Sequence, residues 1–236
     1  IMDTLKLQEK VTETTISKNF ETFAPVVLKI MPDEEVDSRN EALRELAIDN
    51  MIYDFSIDSE NFISEIFNSY DNAPIEEKKI LDYFKIYFIQ DDNDLFSICF
   101  SISSVETEKI GDKDFFFKIN THKIEKIEKE AFIKYSNNYK NKLLQSINSK
   151  TWIGGLQIKN TEAVSYKLKD LYFFILKHFL INAKPESSYS ELFFEMIKFE
   201  ENAEEPTNQN KLSIVVRAQS VSKGRAQAYD FGRVYP

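Results

Sequence analysis

Glycine is scarce in this chain: five occur among 236 residues, at positions 111, 154, 155, 224 and 232, where ordinary usage of about 7% would supply roughly 16. Phosphate-cradling loops need clustered glycines so that backbone amides can approach the anion. Neither G-x-G-x-x-G nor G-x-x-x-x-G-K-[ST] occurs, so classical dinucleotide and P-loop folds are not expected. Histidine is scarcer still. His122 and His178 stand outside any H-E-x-x-H or H-x-x-x-H arrangement, which leaves a histidine zinc site without local support. His122 reads as a turn residue and His178 as a histidine at the rim or inside the core. No G-x-S-x-G elbow supports a serine nucleophile.

Cys99 is the single cysteine, so no intramolecular disulfide can form, and a chain of this size without one fits a reducing, cytoplasmic compartment. Lying in an apolar run with no histidine nearby, Cys99 reads as a small buried residue. The opening "IMDTLKLQEK" has no basic region leading into an apolar one, and no secretory signal is expected. The longest nearly apolar run, Leu171 to Ile181, contains Lys177 and His178 and has about half the ~20 residues that a bilayer crossing needs. It is expected to be a core helix, not a membrane span. Positive charge is short as well: the net charge of -9 leaves no broad basic footprint, which makes nucleic acid a poor partner.

Some motifs that are present also dissolve on inspection. Asp230-Phe231-Gly232 is the tripeptide by which kinases hold magnesium, but the glycine-rich lid, the strand lysine and H-R-D that must accompany it are missing. "QDDNDLF", with Asp91, Asp92 and Asp94, lacks the glycine and the glutamate of a calcium loop and reads as a solvated turn. "PDEEVDSRNE" reads as a helix entrance, its carboxylates opposing the positive end of the dipole. No cofactor or metal site is therefore expected.

The first 90 residues are expected to be mainly helical. A capping box of Ser38 and Glu41 predicts a helix over about 39–49. A second should follow Asp58, with Phe62, Ile63, Ile66, Phe67 and Tyr70 on one face, and a third should run from Pro74 through Leu81, Phe84, Tyr87 and Phe88. "FAPVVLKIMP" before Asp33 suggests a short strand. Beyond residue 90 the period changes to two: Phe96, Ile98, Phe100 and Ile102 alternate with small or polar residues, and Phe115, Phe117 and Ile119 repeat the pattern after a polar loop. Together they predict a long-looped hairpin over about 95–121. Helices are then expected over about 125–147 and, as the central element of the core, from Thr161 through Val164, Leu168, Leu171, Tyr172, Ile175 and Phe179.

Residues 189–200 fit either helix or strand and lean to strand. Leu212 to Val221 alternates clearly. Gln227 to Val234 is expected to pair with it across a Gly224 turn, burying Tyr229 and Phe231 and turning Asp230 outward. Six glutamates against one lysine in 191–205 give -5, and five cations against Asp230 in 211–236 give +4, as cross-strand pairing would require. The expected fold is thus one α+β domain over 1–236. Its antiparallel sheet, from hairpin-like regions at about 95–121 and 191–235, is covered by amphipathic helices, with a helical subdomain over 1–90 as a variant.

Two functions follow. The favoured one is a non-catalytic interaction or assembly protein whose partner is another protein or itself; few glycines and histidines and twenty phenylalanines point that way. The residues expected to carry it are Tyr229, Phe231, Arg225 and Arg233, should the C-terminal segment be a docking tail, together with Trp152. Gly154-Gly155 after that tryptophan bend the chain, so Trp152 reads as a pocket wall or as an anchor at the core's edge. The alternative is an enzyme of metal-dependent hydrolase type whose carboxylates converge only in three dimensions.

Overall fold

The computed structural model describes residues 29–180, 189–220, 224–230 and 232–236. The elements are β1 (Ile30–Met31), α1 (Asp33–Arg44), β2 (Asp54–Asp58), α2 (Ser59–Asn72), α3 (Ile75–Lys78), β3 (Tyr83–Gln90), β4 (Phe96–Ser103), β5 (Phe115–Asn120) and β6 (Lys123–Ile127). They continue with α4 (Lys129–Asn141), α5 (Leu143–Lys150), β7 (Trp152–Ile153), β8 (Leu156–Gln157), β9 (Ala163–Lys167) and α6 (Leu168–Ile175), which runs into a π-helical turn, Leu176–Leu180. The last are β10 (Glu191–Lys198), β11 (Leu212–Ser220), β12 (Gly224–Arg225), β13 (Ala228–Tyr229) and β14 (Arg233–Tyr235).

Two six-stranded antiparallel sheets result, beside the two-stranded β7–β8. One has the order β1-β13-β11-β10-β2, with β12 also on β11; the other has the order β14-β9-β3-β4-β5-β6. One hydrophobic cluster draws on both: Phe100 of β4 meets Phe194 of β10 at 5.2 Å, and Phe62 of α2 touches Phe84, Phe100 and Phe194. Each outer face has its own cover. Val36 of α1 packs with Met31, Ile197 and Val215 on the first sheet, and Phe132 of α4 stacks on Phe116 and meets Tyr87 on the second.

The α+β class and the antiparallel pairing match expectation, as do β4, β5, β10 and β11, but the two hairpin-like regions expected in one sheet lie in two. So does α2, whose Asp58 cap accepts a hydrogen bond from the Asn61 amide at 2.7 Å. The mainly helical N-terminal third does not. The expected helix from Pro74 stops at Lys78, and residues 83–90 form a strand buried on both faces, whose apolar run has no period by which to tell strand from helix. The same physics overturns the start of the helix after Thr161: Val164 lies in β9, and the helix begins only at Leu168.

Helix α1 begins at Asp33, not at residue 39. Pro32 precedes it and Asp33, Glu34 and Glu35 fill the first turn, leaving Ser38 and Glu41 inside the helix. The single helix expected over 125–147 is three elements, β6, α4 and α5, the last two parted at Lys142 by a non-helical backbone. Of the strand expected over 23–32, Ile30–Met31 is found, and residues 23–28 lie outside the described residues.

The C-terminal segment departs most from expectation. Gly224–Arg225 pairs with Gln219 and Ser220, and Tyr229 meets Val216, but the chain then leaves the first sheet and Arg233–Tyr235 joins the edge of the second against β9. At the crossing Asp230 is buried, 4% exposed, instead of facing outward, and its amide donates to the Lys29 carbonyl at 3.1 Å. Gly232 passes so close to Val164 and Tyr166 that a side chain there would collide.

Candidate functional site

Of the five residues expected to meet a partner, the described ones are dispersed. Tyr229 is inside, 1% exposed, its ring 5.4 Å from both Phe174 and His178 and its hydroxyl accepting from Lys177 at 2.9 Å. It is a core residue, and its burial removes it from any contact surface. Arg225 lies over the Phe193 ring and donates to Glu195 and Gln219, each at 3.2 Å. Arg233, on the edge strand β14, pairs with Glu106 at 3.0 Å. Phe231 falls outside the described residues.

Trp152 behaves differently. It opens a two-stranded hairpin, β7–β8, whose turn places Gly154 and Gly155 at φ +56° and +82°, the left-handed pair that a two-residue hairpin turn requires. Open space surrounds both glycines. Trp152 opposes Gln157, and Ile153 opposes Leu156, so the two faces of the hairpin carry different apolar groups. Trp152 is 46% and Leu156 74% exposed. Polar contacts hold both ends: at the base the indole donates to the Ser149 carbonyl at 3.0 Å and Asn210 donates to the Trp152 carbonyl, and in the turn the Gly154 amide donates to Glu201 at 3.3 Å. Trp152 is thus an exposed residue tied at its indole to the end of α5.

A second constellation lies on the outer face of the other sheet, where residues 104–114 cross as a strap between β4 and β5. Ser101, Lys85 and Ser165 stand side by side on β4, β3 and β9, and Arg233 on β14 continues the row. The Lys85 side chain is fully buried. Its ammonium donates to the strap carbonyls of Lys109 at 2.7 Å and Thr107 at 3.3 Å, and pairs with the equally buried Asp114 at 3.7 Å. Tyr87 donates its hydroxyl to the same Lys109 carbonyl at 3.1 Å. Burial lowers Lys85 to about 8 against the opposing pull of Asp114 and Glu108. Cys99, buried on this face as expected, has its thiol pushed well above the ordinary range by burial.

The remaining titratable groups of note are also enclosed. Burial, with the neighbouring Lys177 charge, lowers His178 to about 4, and burial raises Asp230 to about 6. The "QDDNDLF" turn is solvated as expected, Asp92 pairing with Lys134 at 2.6 Å and Asp94 pairing with Lys142. His122 occupies the β5–β6 turn, beside an open depression of about 510 Å³ that Asn61, Asn120 and Glu125 also line. Among the described residues no three His, Cys, Asp or Glu side chains come together in a way that would hold a metal ion. No helix among them is long and apolar enough to cross a membrane.

Sequence reasoning missed Lys85, Asp114, Ser101 and Ser165. The one signal was a lysine inside the aromatic run "YFKIYFI", which helical spacing would have turned to solvent. Comparison with protein-family models, with curated proteins and with solved structures finds no match to this chain.

Proposed function

We propose that this is a non-catalytic interaction or assembly protein that docks on another protein, or on a second copy of itself, through the β7–β8 hairpin. The observation that carries the reading is the exposure of Trp152 on one face and Leu156 on the other of a hairpin held by polar contacts. A rigid aromatic anchor ringed by polar groups is the usual composition of a protein contact. Ionisable groups displaced from their ordinary pKa add support by their placement: Lys85, Asp230 and His178 are buried separately and do not converge in an open cleft. The metal-dependent hydrolase alternative finds no ligand group among the described residues.

The test is a double variant, Trp152→Ala with Leu156→Ser, compared with the parent by sedimentation velocity over a concentration series and by quantitative cross-linking in source-cell extract. The variant should melt at the parent temperature, because exposed substitutions cost little. It should lose either the parent's self-association or a specific cross-linked partner. Unchanged sedimentation together with an unchanged cross-link profile would remove the hairpin from consideration.

A further inference from the structure

We propose that the outer face of the second sheet, beneath the 104–114 strap, is a binding site for a small oxyanion, a carboxylate or phosphate group, whose place the strap's own Asp114 takes in the closed chain. The inference is independent of the hairpin, and its first support is the register. Ser165, Lys85 and Ser101 face each other directly across three adjacent strands, and Arg233 follows on β14. One ammonium, one guanidinium and two serine hydroxyls therefore share a row, with the Tyr87 hydroxyl beside it. The strap answers this row with anions, Asp114 on Lys85 and Glu106 on Arg233.

Asp114 fills the place imperfectly. Its contact with Lys85 is 3.7 Å, where a charge-assisted hydrogen bond is about 2.7–2.9 Å. One carboxylate oxygen, Oδ2, accepts from the Gly111 amide at 2.9 Å, but Oδ1 has no partner, although the side chain is fully buried. The hydroxyls of Ser101 and Ser165, on either side of Lys85, are buried and unpartnered as well. Buried polar atoms are ordinarily paired, so three unpaired ones around a single long ion pair mark where the closed chain is least satisfied. An oxyanion able to approach Lys85 more closely and accept from a serine hydroxyl meets needs that Asp114 leaves unmet.

The strap is attached in a way that permits exchange. It leaves β4 after Ser103 and rejoins at Phe115 of β5, and Phe115 pairs with Ile102, so both attachment points lie at the same end of one antiparallel ladder. Lifting residues 104–114 breaks the contacts to Lys85, Tyr87 and Arg233, the Lys113–Glu77 ion pair at 3.0 Å and the packing of Ile110 on the outer-face cluster, but no strand pairing. The site is thus an oxyanion pocket with a built-in competitor, and ligand binding expels Asp114.

Hydrogen–deuterium exchange on the full chain tests this, with inorganic phosphate or succinate replacing chloride at constant ionic strength. Amides of 104–114 should exchange faster in a saturable manner with at least one of the two anions, while β10 and β11 amides stay unchanged; which anion acts identifies the source. Lys85→Met should abolish the response. Ser101→Ala with Ser165→Ala, which removes only unpartnered hydroxyls and should fold whether or not Lys85→Met does, should weaken the apparent affinity about tenfold. Strap exchange indifferent to both anions, a response surviving in Lys85→Met, or full affinity in the serine variant would each overturn the proposal.

Discussion

Tyr166 of β9 reaches out of its own sheet and donates its hydroxyl proton to the backbone carbonyl of Ile214 on β11, at 2.8 Å. A buried side chain of one sheet thereby ties directly into the backbone of the other. Tyr166→Phe keeps the ring and removes this tie, leaving a buried carbonyl short of a donor. The variant should lose about 1–3 kcal/mol of stability, read as a lower urea midpoint with an unchanged slope.

Leu171 and Ile175 of α6 are nearly fully buried in the cluster that both sheets share. Leu171→Ala and Ile175→Ala should each cost about 2–5 kcal/mol, the transfer loss plus the cavity left behind. Chemical denaturation of the two single variants checks it.

Lys85 supplies a pH dependence whose sign runs against first intuition. Its folded pKa of about 8 lies below the ordinary 10.5, so between these values the unfolded chain binds more protons and stability rises with pH. The contribution is complete above about 10.5 and is lost as pH falls through 8. Lys198 and Lys211 are lowered in the same direction, so the informative quantity is the difference between parent and Lys85→Met. Urea midpoints from pH 7.5 to 10 should climb more steeply in the parent.

Asp230 works oppositely. Burial raises it to about 6, above the ordinary 3.8, so its contribution is greatest below 3.8 and is lost as pH rises through 6. At pH 7 the chain carries a buried carboxylate with an unpartnered oxygen. Asp230→Asn should therefore be more stable than the parent at pH 7, with the gain vanishing by pH 4, as thermal melts at the two values would show.

How legible these features were in the sequence depended on burial. In β4 the residues that point away from the shared core are serines and Cys99, so the alternation survived and the strand was readable. β3 has Phe84, Ile86 and Phe88 on one face and Tyr87 and Ile89 on the other, all buried, and the period vanished. β9 was hidden the same way, and its Val164 was absorbed into the helical pattern that follows. The β5–β6 turn had no glycine to announce it, because Thr121 adopts a φ of +61° there.

The site features separate along the same line. The Trp152 hairpin was partly readable because its glycine pair is local. The Lys85 row was not, since it exists only once β9, β3 and β4 are in register and the strap has folded over them. Similarly, Asp230 turns inward because the chain changes sheets there, a crossing that no local pattern records.

That crossing bears on the order in which the protein can be made. Ile30 finds its pairing partner in Tyr229, and β9 gains its outer neighbour only with Arg233–Tyr235. On a ribosome the strands β3 to β6 and β9 emerge well before either partner. Until residues 224–236 arrive, β9 offers an unpaired edge of buried-type residues, Ala163 to Tyr166. Such an edge is a template for wrong pairing, and pairings so distant in sequence form slowly. The nascent chain is thus most exposed to aggregation after β9 has emerged and before residues 233–235 reach it, and holdase chaperones should act on it during that interval.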